Sequence, residues 1–340
     1  MSFRLRLLFF LLLVAVAGLL GWGWAELNRP VTLEAPVVLE VQPGSTLTAV
    51  ARQLQEIGLV RHPGIWRAYA RVKGLDRTLK AGEYELDGTV TPLSVLALLN
   101  SGRTRQYSVT ILEGWTYRQM LEHLWAQPRL KRTLDAQQAS GIMQRLGMPE
   151  MNPEGWFLPE TYFYSSGMTD FDILRRSHEA MRRLLEQEWE TRGDNLPLKT
   201  PYEALILASI VEKETGAADE RPMIAAVFIN RLRKGMRLQT DPTVIYGMGD
   251  RYRGNIRKSD LRRDTPYNTY TRKGLPPTPI ALPSASSIHA VLHPANTSAL
   301  YFVASGGGRH HFSKTYEEHR KAVIKYLLGG NAARYKGDQP

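Results

Sequence analysis

From Leu7 to Trp24 the chain carries no charged residue, and the run is built of aliphatic, aromatic and small side chains. Such a run suits one membrane-spanning helix of roughly 20 residues. Arg4 and Arg6 precede it and Trp22 and Trp24 close it, where basic groups and indole rings favour the two interfaces. The arginines argue for a cytoplasmic N-terminus, with the rest of the chain across the membrane. A cleaved signal peptide with Ala15-Val-Ala17 as its small-residue site is the competing reading. That cut would leave the apolar Gly18-Leu-Leu20 on the mature chain, so an uncleaved anchor is preferred.

Past the anchor the period shortens. Residues 25–37, with Pro30 and Pro36, read as a linker. Val38 to Val41 reads as a strand and Gln42-Pro-Gly44 as a turn. Ser45 or Thr46 can cap a helix that holds Leu47, Val50, Ala51 and Leu54 at helical spacing and stops at Gly58. A helix around Trp66 to Val72, a short strand from Ala81 to Leu86, and a helix opened by Thr91-Pro92 and closed near Gly102 complete a small α+β module, residues 38–102. Its opening, Val41-Gln-Pro-Gly44-Ser-Thr46-Leu47, resembles the first strand, turn and helix of LysM peptidoglycan-binding modules. A similar phrase returns at Val109-Thr-Ile-Leu-Glu-Gly114-Trp-Thr116-Tyr117, either as a repeat or as common turn chemistry.

Residues 125–150 are polar and helical in part. The segment Asn152 to Tyr164 is dense in aromatics and broken by Pro and Gly. It suits either a sugar-stacking cleft or a core plug under a loop. Phe171 to Arg192 is a charged amphipathic helix, read as scaffold.

The most apolar stretch after the anchor, from Ala204, ends in Glu212-Lys-Glu214-Thr215. Leu207, Ile210, Val211 and Glu214 fall at i, i+3, i+4 and i+7 and share one bulky face. Glu212 projects with Leu205, Ala208 and Ser209, a smaller and more polar face. A carboxyl desolvated beside Ile and Val holds its proton toward neutral pH, as a general acid must. The plain alternative is two solvated acids near a helix end. Ile224, Val227, Phe228 and Leu232 stripe a second helix that stops at Gly235. The segments after it, Met236 to Gly247, Thr265 to Tyr270 and Gly274 to Ile280, are polar, aromatic and stiffened by proline. They read as loops that could wall a polyol site. A strand at Leu300 to Val303, a Gly306-Gly-Gly308 turn and a helix from Thr315 to Leu328 close the chain.

The 340 residues suffice for about two domains. The formal charge of +11 favours anionic surfaces or polymers. No basic run with interleaved aromatics stands out, so nucleic acid is not an expected partner. The absence of cysteine excludes disulfides, thiolate nucleophiles, cysteine metal sites and a lipid-anchor cysteine. His310 and His311 are adjacent and point apart on a strand, and no His-x-x-x-His helix is expected beside them. They read as surface or turn residues, and neither metal nor cofactor is expected.

Taken together, Ile210-Val-Glu212-Lys-Glu214-Thr215, Glu220-Arg221, Val227-Phe-Ile-Asn230-Arg231-Leu232, Leu238-Gln-Thr-Asp-Pro-Thr-Val-Ile-Tyr-Gly247, Tyr267-Asn-Thr-Tyr270 and Gly274-Leu-Pro-Pro277 resemble the YceG-like family. The resemblance runs from the membrane segment to the last helix. It implies endolytic, lytic cleavage of the MurNAc-β-1,4-GlcNAc bond of peptidoglycan, leaving a 1,6-anhydroMurNAc end. It also implies a role in terminating or trimming nascent glycan strands beside peptidoglycan synthases, on the outer face of the inner membrane. One carboxyl suffices for this chemistry, where an ordinary glycosidase needs two. The family's catalytic glutamate matches Glu214, with Glu212 in reserve. Gln239, Thr240 and Asp241 would hold the saccharide or orient Glu214, and Tyr246, Tyr267 and Asn268 would line subsites. Trp156, Glu160, Glu154 and Glu220 are weaker candidates, and Glu220 and Arg221 read equally well as a structural ion pair.

The expected fold is α+β: a tail (1–6), a transmembrane anchor (7–24), a linker (25–37), the LysM-like module (38–102) and a larger mixed catalytic domain (103–335). Two rival functions stand beside the lytic one. A peptidoglycan hydrolase would pair Glu214 with Asp241 or Glu160. A noncatalytic wall-binding scaffold would work through the LysM-like module alone.

Overall fold

The computed structural model describes residues 3–75 and 79–335. It is a mixed α+β protein with one long apolar helix at its N-terminus. The chain divides into two compact units. The first comprises Met1–Tyr107, Arg129–Lys131 and Phe163–Met168, and the second Ser108–Pro128, Arg132–Tyr162 and Thr169–Pro340.

In the first unit, helix α1 (Phe3–Leu27) outruns the apolar stretch at both ends. It is long and apolar enough to cross a membrane, a property it shares with signal sequences. Near its C-terminal end Trp22 meets His62 at 5.1 Å between ring centroids, and Gly23 lies beside Ile65. The stretch expected to be a linker is partly ordered. Strand β1 (Val31–Thr32) pairs with β4 (Thr89–Val90). Strand β2 (Val37–Val41) pairs antiparallel with β3 (Gly82–Leu86), with Leu39 opposite Tyr84. Between them stand α2 (Leu47–Glu56) and α3 (Pro63–Val72), and after β4 comes α4 (Pro92–Ser101). Leu39, Val50, Leu54, Trp66, Tyr84, Leu96 and Leu99 form the buried core. Its two polar rings are satisfied: the Trp66 indole donates to Pro92 O at 2.8 Å and the Tyr84 hydroxyl to Lys80 O at 2.7 Å.

Strand β5 (Gln106–Thr110) pairs with β6 (Thr161–Ser165), with α5 (Tyr117–Trp125), α6 (Ala136–Ser140) and α7 (Ile142–Arg145) between them in sequence. The second unit then continues with α8 (Asp170–Glu190), α9 (Pro201–Glu214) and α10 (Arg221–Arg233). Helix α9 is sheathed: every residue from Ala204 to Val211 is buried, with α8, α10, α11 (Asp241–Met248) and α13 (Ala285–Leu292) packed around it. A helix apolar on all sides is stable only when neighbours cover all sides. This corrects the two-face expectation for α9, because Leu205, Ala208 and Ser209 are as buried as Leu207 and Ile210.

Helices α11 and α13, with the short α12 (Lys258–Arg262), lie in segments expected to be loops or left unassigned. Their start signals were present. Thr240-Asp241-Pro242 places an N-cap residue, an acid and a first-turn proline in order, and Ser284 caps α13 through the Ser287 amide. Strands β7 (Tyr301–Gly306) and β8 (Arg309–Ser313) form a hairpin, and α14 (Tyr316–Tyr326) packs on both.

Candidate active site

Helix α9 ends at Glu214, where Thr215 turns extended. A 3-10 turn, Ala218–Glu220, leads into α10. Gly235, at φ +62°, reverses the chain after α10 and sends residues 236–240 back past the end of α9. Arg231 fixes that return. Its guanidinium donates to Leu238 O at 2.8 Å, to Leu300 O at 2.7 Å and to Gln239 Oε1 at 3.3 Å. Gln239 sits at φ +52°, a left-handed conformation costly for a residue with a Cβ. Thr269 completes the clamp by accepting from the Thr240 amide at 3.0 Å.

The result is that the Thr240 hydroxyl donates to Glu214 Oε1. Glu214 opens on a cavity of about 390 Å³ that is also lined by Arg231, Gln239, Asp241, Tyr270 and Tyr301. The Glu214 side chain keeps a solvent-facing edge, yet protein packs closely around the carboxyl. Desolvation is the largest influence and pushes its pKa up. The Asp241 charge pushes the same way, while the Thr240 hydrogen bond, His310 and Arg231 oppose. The Asp241 carboxylate accepts from the Tyr270 hydroxyl at 2.6 Å. A half-enclosed carboxyl that favours its proton, beside a polar cavity, can protonate a leaving oxygen and later recover a proton.

Glu212, two residues earlier, is differently placed. Arg221 Nη2 donates to it at 3.0 Å, the Ser284 amide at 2.9 Å, and the Ser284 and Ser287 hydroxyls at 2.5 and 2.7 Å. Both of its oxygens are engaged by donors that tie α9 to α10 and α13. It is a buried cross-brace, and the cavity beside Glu214 does not include it.

The other residues singled out in the sequence fall into three places. Tyr246 and Tyr267 meet edge to face at 4.9 Å. The Tyr246 hydroxyl donates to Glu154 Oε2 at 3.1 Å, while the Tyr117 amide donates to Glu154 Oε1 at 2.8 Å. Burial raises the Glu154 pKa to about 7, and those two hydrogen bonds partly offset it. Glu154 and Tyr246 line a second cavity of about 520 Å³ with Tyr117, Leu121 and Trp125. Trp156 is buried and stacks on Tyr202 at 5.7 Å, with no hydrogen-bond partner for its indole N–H among the described residues. Glu160 is exposed, and its carbonyl accepts from the Ile111 amide at 3.0 Å. Asn268 is buried, with its amide donating to the carbonyls of Asp260 and Leu261 in α12 and of Arg263 just after it. The structure therefore gathers Glu214, Gln239, Thr240 and Asp241. It sets Tyr246 against Glu154 and Tyr267 against Tyr246, and places Trp156, Glu160 and Asn268 outside the Glu214 cavity.

Glu220 and Arg221 do not pair with each other. Glu220 accepts from the His310 amide at 3.0 Å and pairs with its ring at 2.9 Å, and Arg221 turns to Glu212. His310 is therefore half-buried at the site's edge and is not a free turn residue. A His-x-x-x-His spacing does occur elsewhere, with His289 in the last turn of α13 and His293 just past its end. Sequence reasoning missed Arg231, Tyr270 and Tyr301 as wall residues. The first two stood inside the motifs already quoted.

An α+β fold with one apolar N-terminal helix of membrane-spanning length and a proton-favouring carboxyl beside a polar cavity defines the class: a protein with the equipment for acid–base chemistry. Residues 39–325 match the model of the YceG-like family, and the chain belongs to that family. A Bacillus subtilis protein named endolytic murein transglycosylase is 31% identical over 87% of this chain and 86% of its own length. A Streptococcus pneumoniae protein of the same name is 28% identical over 96% of this chain, a match spanning 65% of that protein. The crystal structure of a YceG-like protein from Listeria monocytogenes superimposes with a TM-score of 0.53 at 30% identity, covering 85% of this chain and 99% of that one.

Proposed function

We propose that this protein is a membrane-anchored endolytic lytic transglycosylase of peptidoglycan, with Glu214 as its catalytic acid and base. The carrying observation is the Glu214 carboxyl, proton-favouring and held by Thr240 at the wall of a polar cavity. Protonated Glu214 donates to the glycosidic oxygen, O4, that joins MurNAc C1 to GlcNAc C4. The C1–O4 bond breaks and GlcNAc leaves with a free 4-hydroxyl. The Glu214 carboxylate then takes the proton from the MurNAc C6 hydroxyl as O6 bonds to C1. The 1,6-anhydro ring closes without consuming water, and Glu214 is again protonated. Gln239 and Asp241 hold the saccharide at the cleavage point. Tyr246, Tyr267 and the 520 Å³ cavity carry the strand onward, and Asn268 shapes the loop that presents Tyr267 and Tyr270.

We read residues 38–102 as a LysM-like wall-binding module and 103–335 as the catalytic domain. Strand β2, the Gly44 turn at φ +80° and the Thr46 cap of α2 support the LysM resemblance. Helix α1 serves as a single-pass inner-membrane anchor with its N-terminus cytoplasmic, because Arg4 and Arg6 lie at its N-terminal end, just before the apolar run. The activity then works on nascent strands at the outer membrane face, beside the synthases.

The test is digestion of purified peptidoglycan by the full-length chain in detergent, with mass spectrometry of the products. Anhydro-ended fragments from wild type and Glu212→Gln, absent with Glu214→Gln, are expected. Reducing ends would make the protein a hydrolase, with Asp241 the second carboxylate to examine because it lines the same cavity. No cleavage by folded wild type would leave the wall-binding scaffold.

A further inference from the structure

Three potential metal ligands converge outside the Glu214 site. Glu188 lies in the last turn of α8, His289 lies in the last turn of α13, and His293 is the residue just past the end of α13. His289 Nδ1 is 2.9 Å from Glu188 Oε2, and His293 Nε2 is 3.4 Å from the same oxygen. The three ligand atoms all lie within 4.8 Å of one another. The two imidazoles stack at 4.4 Å.

An ion pair needs one histidine. Here two rings direct a nitrogen at one carboxylate oxygen. A cation between the three atoms would take all three as ligands. In a tetrahedral zinc site with bonds of about 2.0–2.1 Å, neighbouring ligand atoms stand about 3.3 Å apart. Two of the three edges are already close to that, and the exposed His289 is free to rotate to complete the third. The helix ends favour a cation as well. The terminal carbonyls of α8 and α13 carry partial negative charge, and α8 has no basic residue in its last turn. Arg192, just beyond, is engaged with Trp189, donating to its carbonyl at 2.7 Å and lying over its ring.

We infer that Glu188, His289 and His293 form a divalent transition-metal site of the zinc class, with water completing the coordination. Two imidazoles and one carboxylate suit zinc, cobalt or nickel and disfavour magnesium and calcium, which take oxygen ligands. The metal braces α8 to α13, the helix whose N-terminal serines hold Glu212. Its role is structural and lies outside the chemistry at Glu214.

The experiment uses the full-length, tag-free chain in detergent, stripped with chelator and dialysed. Zinc is titrated by calorimetry and cobalt by visible absorbance, with thermal unfolding followed with and without zinc. One saturable equivalent, tetrahedral cobalt bands and a raised Tm are expected. His289→Ala and Glu188→Gln should each weaken binding at least tenfold and remove the Tm rise, while His311→Ala retains both. Wild type that binds no saturable equivalent, or His289→Ala that binds as tightly as wild type, would overturn the site. Because His289 is exposed, its replacement leaves the helix packing intact.

Discussion

Thr240 occupies the N-cap position of α11, yet its hydroxyl donates to Glu214 and makes no capping bond. Thr46, Thr91, Thr116, Thr169, Thr200 and Thr315 all spend their hydroxyls on caps. At Thr240 the same side chain is diverted to the candidate acid, where it favours the carboxylate against the burial that favours the proton.

That opposition sets a pH prediction with two signs. The acid step needs protonated Glu214, so turnover falls as pH rises through its pKa. Thr240→Val removes a donor to the carboxylate, raises the pKa further and moves the alkaline limb of the pH–rate profile upward. Asp241→Asn removes a neighbouring negative charge, lowers the pKa and moves that limb downward. Limbs that stay in place in both variants would detach Glu214 from the rate-limiting proton transfer.

Glu212 should behave as a stability residue. Its side chain is 5% exposed and that of its partner Arg221 is 8% exposed. Glu212→Ala leaves a buried guanidinium short of its main partner and should cost about 3 kcal/mol, measurable by denaturant unfolding. Glu212→Gln keeps the hydrogen-bonding shape, should cost less, and should still cleave. Loss of cleavage by a Glu212→Gln protein as stable as wild type would instead place Glu212 in the chemistry.

Glu154 predicts a pH-dependent stability. Its folded pKa of about 7 lies above the ordinary 4.5. Between those values the folded state holds a proton that the unfolded state lacks, so stability falls as pH rises and levels off above about 7. The difference is about 3 kcal/mol. Glu154→Gln should abolish this part of the slope and unfold later than wild type at alkaline pH. Parallel stability curves for the two proteins would contradict the assignment.

Gln239 combines a strained backbone with a place in the cavity wall. Gln239→Gly should relieve the left-handed strain and stabilise the fold by about 1 kcal/mol, while turnover falls because the side chain no longer meets the saccharide. Unchanged turnover in a stabilised protein would remove Gln239 from substrate binding.

Much of this was legible in the chain because it is local. The apolar run of α1, the caps at Thr46, Thr91 and Thr116, and the strands around Val38 and Glu83 follow from period and turn chemistry within a few residues. Helix α11 was misjudged because Thr240-Asp241-Pro242 resembles loop chemistry unless the stretch after it finds a packing partner, here α9. Helix α13 reads as a helix once Ser284 is seen as a cap.

The sequence by itself determined that a buried helix ends in two carboxylates, that a polar, proline-stiffened segment follows, and that the family is YceG-like. It could not say which carboxylate is free to act. Neighbours distant in the chain decide that. Arg221, Ser284 and Ser287 engage Glu212, while Thr240, Asp241 and Tyr270 leave Glu214 facing a cavity. A residue's period tells which way it points along its own helix. Whether burial there meets donors or an open wall depends on elements that only the tertiary fold brings together.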